Sequence, residues 1–220
     1  MHESISIIES QEKMPGDTIK HIVFDLGNVL IHIHPERTME QLSRYCPHPA
    51  SDLATWFLSP RHRAVMAGNI SLPQFYREFS RTFQCRMAYE DFEQAWKQLI
   101  GEPKSGISTL IERLSREYIL SICSNTDPCH WDMARRRFPL LDTHFRFTVL
   151  SFQTGCLKPE EQIFHILLET LQAGPEECVF IDDTEENIIT ARRLGFQTIQ
   201  ADNTEEIRLA LKEKGIPGKG

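Results

Sequence analysis

Five short apolar runs, which alternate with amphipathic helix patterns, constrain the fold more than any other feature. The runs cover Ile22–Leu26, Tyr118–Cys123, Phe145–Leu150, Cys178–Ile181 and Gln197–Gln200. Between the later runs, apolar residues recur at the three- and four-residue spacing of a helix face. Strands and helices that alternate in this way form parallel sheets, because each crossover helix packs against the sheet. The sequence therefore predicts an α/β fold with a Rossmann-like, doubly wound parallel sheet.

The segment after the first run breaks the alternation. About 90 residues separate Leu26 from the next strand, and they carry four helix patterns, at roughly 36–46, 49–58, 71–83 and 88–99, with no convincing strand. We therefore expect an all-helical cap at 34–103, placed over the sheet edge. The core then comprises residues 20–33 and 104–220, and the polar residues 1–19 form an N-terminal tail.

Charge and cysteine usage narrow the class of protein. The net charge of −7 argues against nucleic-acid binding, which favours a basic surface. No apolar run approaches the roughly 20 residues of a membrane span, so no membrane partner is expected. The six cysteines are scattered and form no CxxC pair, which predicts reduced thiols and a cytoplasmic location. We expect a monomer or weak homodimer that binds a small molecule.

Polar segments follow four of the predicted strands. The carboxyl ends of parallel strands meet at one edge of the sheet, where such folds bind their ligands. Asp25 ends the first run and could either cap a helix or attack phosphorus as a nucleophile. Ser124 and Asn125 follow the second run, where hydroxyl and N–H groups suit phosphate oxygens. The alternative at that position is plain helix capping by Thr126 or Asp127.

The two later segments add a cation and paired acids. Lys158 precedes a helix, and it is either an exposed loop lysine or a group that neutralises a carboxylate and a phosphoryl group. Asp182 and Asp183 follow a buried strand, where two acids are costly unless a partner compensates them. Mg²⁺ prefers such oxygen ligands. Asn187, one helical turn later, could orient a metal ligand.

Taken together, the segments FDLGNV, SNT, LKPE and IDDTEEN resemble the four motifs of the haloacid dehalogenase superfamily of phosphohydrolases. The match covers roughly residues 20–200, and the helical insertion resembles the small cap of that superfamily. FDLGNVL together with IDDxxxNI is most similar to a bacterial subgroup that contains glucose-1-phosphate phosphatases. The resemblance implies a Mg²⁺-dependent phosphatase that acts on a small phosphorylated metabolite, with a sugar phosphate as the expected substrate.

The resemblance also implies a role for each motif residue. Asp25 would be the nucleophile that forms an aspartyl-phosphate. The Asp25 and Asp183 carboxylates and the backbone carbonyl of Gly27 would hold Mg²⁺. Ser124, Asn125 and Lys158 would bind the phosphoryl group, and Asp182 would assist as a neighbouring carboxylate.

The chain departs from the superfamily pattern at Gly27, where a second Asp usually serves as general acid and base. Loss of such a group typically costs ~10²–10⁴-fold in rate. A water molecule, a group lent by the cap, or a leaving group that needs no proton could compensate. His32 and His34 are candidates for that replacement, although the alternation with isoleucine favours a solvated hairpin face with the isoleucines packed inward.

Other residues of the insertion offer contacts to a substrate. Arg61, His62 and Arg63 could meet a polar substrate or could be ordinary loop charges, and Trp56, Phe57 and Trp96 are expected in the cap core. Two alternative functions stay open. A non-catalytic or weakly active binding protein would explain Gly27, and a 2-haloacid dehalogenase would need no acid there, although it would leave Asp182 and Asp183 without a metal to bind.

Overall fold

The computed structural model describes residues 19–216, which include the whole predicted core and insertion. Residues 1–18 of the predicted tail and residues 217–220 lie outside the described part of the chain. Ile19 was assigned to the tail, but its side chain is only 6 % exposed and packs in the core.

A five-stranded parallel sheet forms the centre of the molecule, as predicted. Its strands are β1 (His21–Phe24), β4 (Ile119–Ser124), β5 (Phe145–Leu150), β6 (Cys178–Asp182) and β7 (Gln197–Gln200), in the order β5-β4-β1-β6-β7. All five predicted runs form these strands, with bounds that differ by at most two residues. The order places β1 in the middle, so the residue that follows β1 lies at the centre of the sheet edge.

Helices cover both faces of this sheet. They are α6 (Ile107–Leu114), α7 (Pro128–Arg137), α8 (Leu140–Thr143), α9 (Ser151–Thr154), α10 (Glu161–Leu171), α11 (Glu185–Arg193) and α12 (Thr204–Glu213). In β1, Ile22 and Phe24 join one buried cluster, and Val23 joins the other, because successive strand side chains point to opposite faces. Burial on both faces confirms the doubly wound α/β fold.

The insertion forms five helices rather than four. They are α1 (Pro35–Ser43), α2 (Ala50–Trp56), α3 (Pro60–Met66), α4 (Leu72–Thr82) and α5 (Tyr89–Lys97), and they pack around a hydrophobic cluster of their own. The sequence analysis missed α3, whose segment PRHRAVM is too polar to show a helical period. Ser59 caps α3 by accepting a hydrogen bond from the backbone of His62.

The expectation that the insertion contains no strand was wrong. Strand β2 (Ile31–Ile33) pairs antiparallel with β3 (Ile100–Pro103), and this two-stranded ribbon joins the helices α1–α5 to the rest of the chain. The β3 sequence IGEP hides the strand, because glycine and proline are both depleted in strands. The cap bounds of 34 and 103 stay a prediction.

The expectation of six reduced thiols was also wrong. Cys46 and Cys85 form a disulfide between the segment after α1 and the segment after α4, with Cα atoms 4.1 Å apart. Their sequence separation of 39 residues gave no sign of this proximity, which arises from the packing of the helices. Cys123, Cys129, Cys156 and Cys178 are free thiols.

Candidate active site

Three neighbouring strands bring the predicted site residues to one edge of the sheet. Phe24 of β1 lies in register with Ile122 of β4 and with Ile181 of β6, so the chain turns polar at the same level on all three strands. The backbone N–H of Asp25 donates to the Ile181 carbonyl at 2.8 Å, which extends the pairing by one residue. A cavity of about 560 Å³ opens over this edge, and Asp25, Ser124, Asn125, Lys158, Asp183 and Asn187 line it.

Lys158 lies at the centre of the site with its side chain 1 % exposed. Its Nζ is 2.8 Å from Asp25 Oδ1 and 2.6 Å from Asp182 Oδ2. The loop that carries it is held by Asn125, whose Oδ1 accepts from the Lys158 backbone N–H at 2.8 Å and whose Nδ2 donates to the Lys158 carbonyl at 2.9 Å. The alternative of an exposed loop lysine is therefore wrong, and the Asn125 side chain positions Lys158.

Asp182 is fully buried, and each of its oxygens already has partners. Oδ2 accepts from Lys158, while Oδ1 accepts from the Thr184 backbone N–H and from Asn187 Nδ2, both at 2.9 Å. Three donors occupy most of the roughly four acceptor sites of a carboxylate, which leaves Asp182 little capacity for a metal ion. The structure therefore indicates that Asp182 orients Lys158, and that Asn187 orients Asp182.

The donor set fits a hard divalent cation. Oxygen atoms of Asp25, Asp182 and Asp183 lie within 4.8 Å of one another, and Mg²⁺ typically binds one or two carboxylates together with water and phosphate oxygens. Since Asp182 is saturated, Asp25 and Asp183 are the carboxylates that remain for the ion. Gly27 lines the same cavity, and the proposed metal contact of its carbonyl stays a prediction.

Asn28 is a site residue that the sequence analysis missed. Its Nδ2 donates to Asp183 Oδ2 at 3.1 Å, which fixes the second candidate metal ligand from the loop after β1. Asn28 adopts a left-handed backbone conformation with φ of 56°, and asparagine tolerates this region better than most residues. The motif FDLGNV could have pointed to it, because that motif places an amide three residues after the nucleophile.

Burial and opposite charges set the protonation of the central pair. Burial raises the pKa of Asp25, the Lys158 cation lowers it, and the nearby Asp182 raises it again, so that the pKa settles at about 6. Burial alone would lower the pKa of Lys158, but Asp25 and Asp182 together raise it above its ordinary value. At neutral pH the site therefore holds the Asp25 carboxylate, the predicted nucleophile, beside a permanent cation.

A buried network that joins α5 to α7 lies beside the cavity. The carboxylate of Asp127, which caps α7, accepts from Trp96 Nε1 at 3.0 Å and lies 2.6 Å from His130 Nδ1. His130 Nε2 lies 2.9 Å from the Trp96 carbonyl oxygen, and the two rings stack with centroids 4.9 Å apart. The helix-capping role foreseen for Asp127 is confirmed, whereas its link to Trp96 could not be read from the sequence.

The other candidate residues fall into two groups. Trp96 is buried, and Phe57 packs against it within the cap cluster; both rings also line the cavity, as does His62. Arg61 pairs with Glu78 and Arg63 pairs with Glu160, and neither arginine is among the cavity residues of the described chain.

His32 and His34 do not replace the missing acid. Ile31 and Ile33 of the same strand line the cavity, whereas the two histidine rings stack on each other outside it. The imidazole of His34 lies 3.0 Å from the exposed carboxylate of Glu36. The structure therefore supports the alternative of a solvated strand face.

Comparisons with known proteins agree with this architecture. The sequence profile of the haloacid dehalogenase-like hydrolases matches residues 19–195. A D-ribitol-5-phosphate phosphatase from Bacteroides thetaiotaomicron is 26 % identical over 200 residues, which cover 88 % of this chain and 97 % of that protein. No helix in the described range 19–216 is long and apolar enough to cross a membrane.

Two solved structures extend the likeness. A HAD family enzyme from Bacteroides thetaiotaomicron, in complex with magnesium and inorganic phosphate, superposes with a TM-score of 0.75 at 26 % identity and covers 83 % of this chain and 93 % of its own. A protein described as a predicted HAD-like family hydrolase from Porphyromonas gingivalis superposes with a TM-score of 0.78 at 32 % identity, covering 89 % and 97 % respectively.

Proposed function

The chain belongs to the haloacid dehalogenase-like hydrolase family, and from that premise we propose that it is a Mg²⁺-dependent phosphatase that transfers a phosphoryl group to Asp25 and then to water. The observation that carries the proposal is the contact of buried Lys158 with Asp25 and Asp182, beside the Asp183 carboxylate that Asn28 holds in place. A dehalogenase would leave Asp183 and its Asn28 contact without a purpose. A binding protein would not need a buried lysine held against a nucleophile.

The first step forms an acyl phosphate on Asp25. A carboxylate oxygen of Asp25 attacks phosphorus, the bond from phosphorus to the ester oxygen breaks, and its electron pair leaves with that oxygen. The Lys158 ammonium neutralises charge on the transferring phosphoryl group. Ser124 and the chain turn at Asn125 lie at the end of β4, where hydroxyl and backbone N–H groups contact phosphate oxygens. Mg²⁺ held by Asp25, Asp183 and the Gly27 carbonyl would neutralise further phosphate charge.

The second step restores the carboxylate. Water attacks phosphorus, the bond between phosphorus and the Asp25 oxygen breaks, and inorganic phosphate leaves with the oxygen and both protons of that water. Asp182 and Asn187 keep Lys158 in place through both steps, because each hydrogen-bond acceptor of Asp182 is already fixed. We assign them positioning roles and reserve the chemistry for Asp25, Lys158 and Ser124.

The substrate is a small phosphorylated molecule. The sequence favoured a sugar phosphate, and the bacterial relative named as a D-ribitol-5-phosphate phosphatase supports a compound of similar size. A cytoplasmic location and a monomeric or weakly dimeric state also stay predictions. The Cys46–Cys85 disulfide removes one reason for predicting a cytoplasmic location, since disulfides are rare in reducing compartments.

The direct test measures phosphate release from a panel of small phosphate esters, with Mg²⁺ and with EDTA. We expect release that requires Mg²⁺ and is lost in Asp25→Asn, which keeps the shape of the side chain and removes the nucleophile. Asp142→Asn is the matched control, because this half-exposed carboxylate pairs with Arg135 at the opposite edge of the sheet. Wild-type turnover by Asp25→Asn, or turnover that is unaffected by EDTA, would refute the mechanism.

A further inference from the structure

The cavity over Asp25 has two unlike walls. Its polar residues lie on the sheet edge, where the phosphoryl group would bind. The facing wall comes mainly from the cap helices, and it presents Met39, Phe57, Leu58, Met66, Trp96 and Leu99. Trp96 is only 1 % exposed, its indole N–H is donated to Asp127 and its ring stacks on His130, so it adds little accessible surface and no free polar atom to the cavity. The part of the substrate beyond the phosphate would therefore meet hydrocarbon and aromatic rings.

The apolar wall offers few partners for hydroxyl groups. Among the described cap residues that line the cavity, only Thr38 and His62 carry other polar side-chain atoms. The Thr38 hydroxyl is inaccessible to solvent and has no hydrogen-bond partner in the described structure, and His62 packs its ring against Phe57 and Trp96, at centroid distances of 5.5 Å and 5.8 Å. A polyol bound here would lose its water without regaining hydrogen bonds, which is unfavourable for each buried hydroxyl.

Among the described residues, the cavity also offers no acidic side chain in the place of the usual proton donor to a departing alkoxide. Gly27 occupies the position of the usual acid, and both ring nitrogens of His130 face protein acceptors. Burial and the neighbouring His130 lower the pKa of His62 to about 4, so its ring is neutral and a poor acid at pH 7. These side chains therefore suit a substrate whose leaving group departs without being protonated.

We propose that the substrate is a phosphate monoester of an apolar aromatic hydroxyl compound, which rests on the proposed phosphatase function. Phenols ionise near pH 10, as tyrosine does, so a phenolate can leave without first receiving a proton. An alkyl alcohol is about as weakly acidic as water, with a pKa of ~15.7, and needs assistance. The aromatic ring would pack against Phe57, whose own ring is supported by Trp96 at a centroid distance of 5.3 Å.

Leu58 provides a second, independent sign of an apolar ligand. It lines the cavity, yet it is 88 % exposed, the highest exposure among the large exposed hydrophobic residues of the described chain. Such exposure is unfavourable for the free protein and is typical of a surface that a ligand covers. We expect Leu58 to close over the outer edge of the aromatic group.

The first experiment separates the leaving group from the apolar wall. Phosphate release with Mg²⁺ is compared for phenyl phosphate, 2-naphthyl phosphate, cyclohexyl phosphate, D-glucose 6-phosphate and D-ribitol 5-phosphate. We expect kcat/KM for the two aryl esters to exceed that for cyclohexyl phosphate by ~10²-fold or more, since no acid assists the alkoxide. The two polyol phosphates should be poorer still.

Variants test each wall. Leu58→Gln should lower kcat/KM for 2-naphthyl phosphate about 3- to 10-fold through KM, because it removes apolar contact. Leu209→Gln is the matched control, since Leu209 is exposed on α12, away from the cavity.

Gly27→Asp should restore an acid and raise turnover of cyclohexyl phosphate ~10-fold or more, whereas the isosteric Gly27→Asn should not. A Cβ at Gly27 would meet only the Ile33 side chain, at 3.4 Å and 3.7 Å.

The outcomes distinguish this inference from the function on which it rests. Mg²⁺-dependent release that favours a polyol phosphate over both aryl esters would overturn the inference and leave the phosphatase standing. An equal effect of Leu58→Gln and Leu209→Gln would also overturn it. No release from any ester by a folded, Mg²⁺-supplied protein would refute the phosphatase, and the inference with it.

Discussion

Replacement of Lys158 by methionine tests the charge balance of the site. Methionine is an unbranched side chain of similar length that can fill the same space beside Phe180, whose ring centroid lies 5.6 Å from Nζ. The change removes the only cation that contacts Asp25 and Asp182 in the described structure, and it leaves two buried carboxylates facing each other. Breaking a buried ion pair in this way typically costs about 3–5 kcal/mol.

That free-energy loss is large enough to measure by heat denaturation. For a protein of this size, 1 kcal/mol corresponds to a change in Tm of about 2–4 °C, so Lys158→Met should melt about 6–20 °C below the wild type in EDTA. A proton can take the place of the lost ammonium. The deficit should therefore shrink as the pH falls from 8 to 5, by at most ~1.4 kcal/mol per pH unit. Mg²⁺ should narrow it as well, because a second cation enters the same site.

Lys97→Met is the matched control. Lys97 pairs with Glu93 one helical turn away on α5, and both side chains are partly exposed. Pairs of this kind contribute about 0.3–0.5 kcal/mol, so the control should melt within about 2 °C of the wild type at every pH. Equal melting of Lys158→Met and wild-type protein in EDTA at pH 8 would refute the reasoning, because the two carboxylates would then not depend on the lysine.

Three further predictions concern metal binding and the cap. Asn28→Ala should weaken Mg²⁺ binding about 10-fold in a calorimetric titration, since it frees the Asp183 carboxylate, and Asn69→Ala, at an exposed position after α3, should not. Because the pKa of Asp25 is raised to about 6, Mg²⁺ affinity should be level above pH 6 and fall about tenfold per unit below it; affinity that is constant down to pH 5 would contradict this assignment. Cys46→Ser should lower the free energy of unfolding of the oxidised protein by about 4 kcal/mol, as expected for a 39-residue loop, whereas Cys156→Ser should not; equal denaturation midpoints with and without reductant in the wild type would argue against the bond.

The sheet and the meeting of the motif residues could be predicted because both follow from local patterns. Each strand is a short apolar run, and a polar residue after such a run in a parallel sheet must lie at the carboxyl edge. The proximity of Asp25, Ser124 and Asp182 could be predicted for that reason alone, although roughly 60–100 residues separate each from the next in the sequence. The apolar runs and the polar residues that follow them, both visible in one sequence, were enough for this prediction.

The features that could not be predicted depend on contacts between segments that lie far apart in the sequence and share no sequence pattern. The pairing of Cys46 with Cys85, the contact of Trp96 with Asp127, and the β2–β3 ribbon each join residues at least 31 positions apart across helix packing. A helix such as α3 escaped for a different reason, because its few apolar residues make no stripe. These features depend on how the cap helices pack against one another. That packing leaves no periodic pattern in a single sequence.

The ion pairs around Lys158 have a consequence for the order in which ligands bind. Asp25 and Asp182 contact Lys158, and oxygen atoms of Asp25, Asp182 and Asp183 lie within 4.8 Å of one another, so three carboxylates and one ammonium give this part of the protein a formal charge of about −2 before any ion enters. A phosphate ester is itself an anion, and it would be repelled from such a site at short range. A divalent cation cancels the excess. Binding is therefore expected to be ordered, with the cation first and the ester second, and the product phosphate should dissociate more readily whenever the cation is withdrawn.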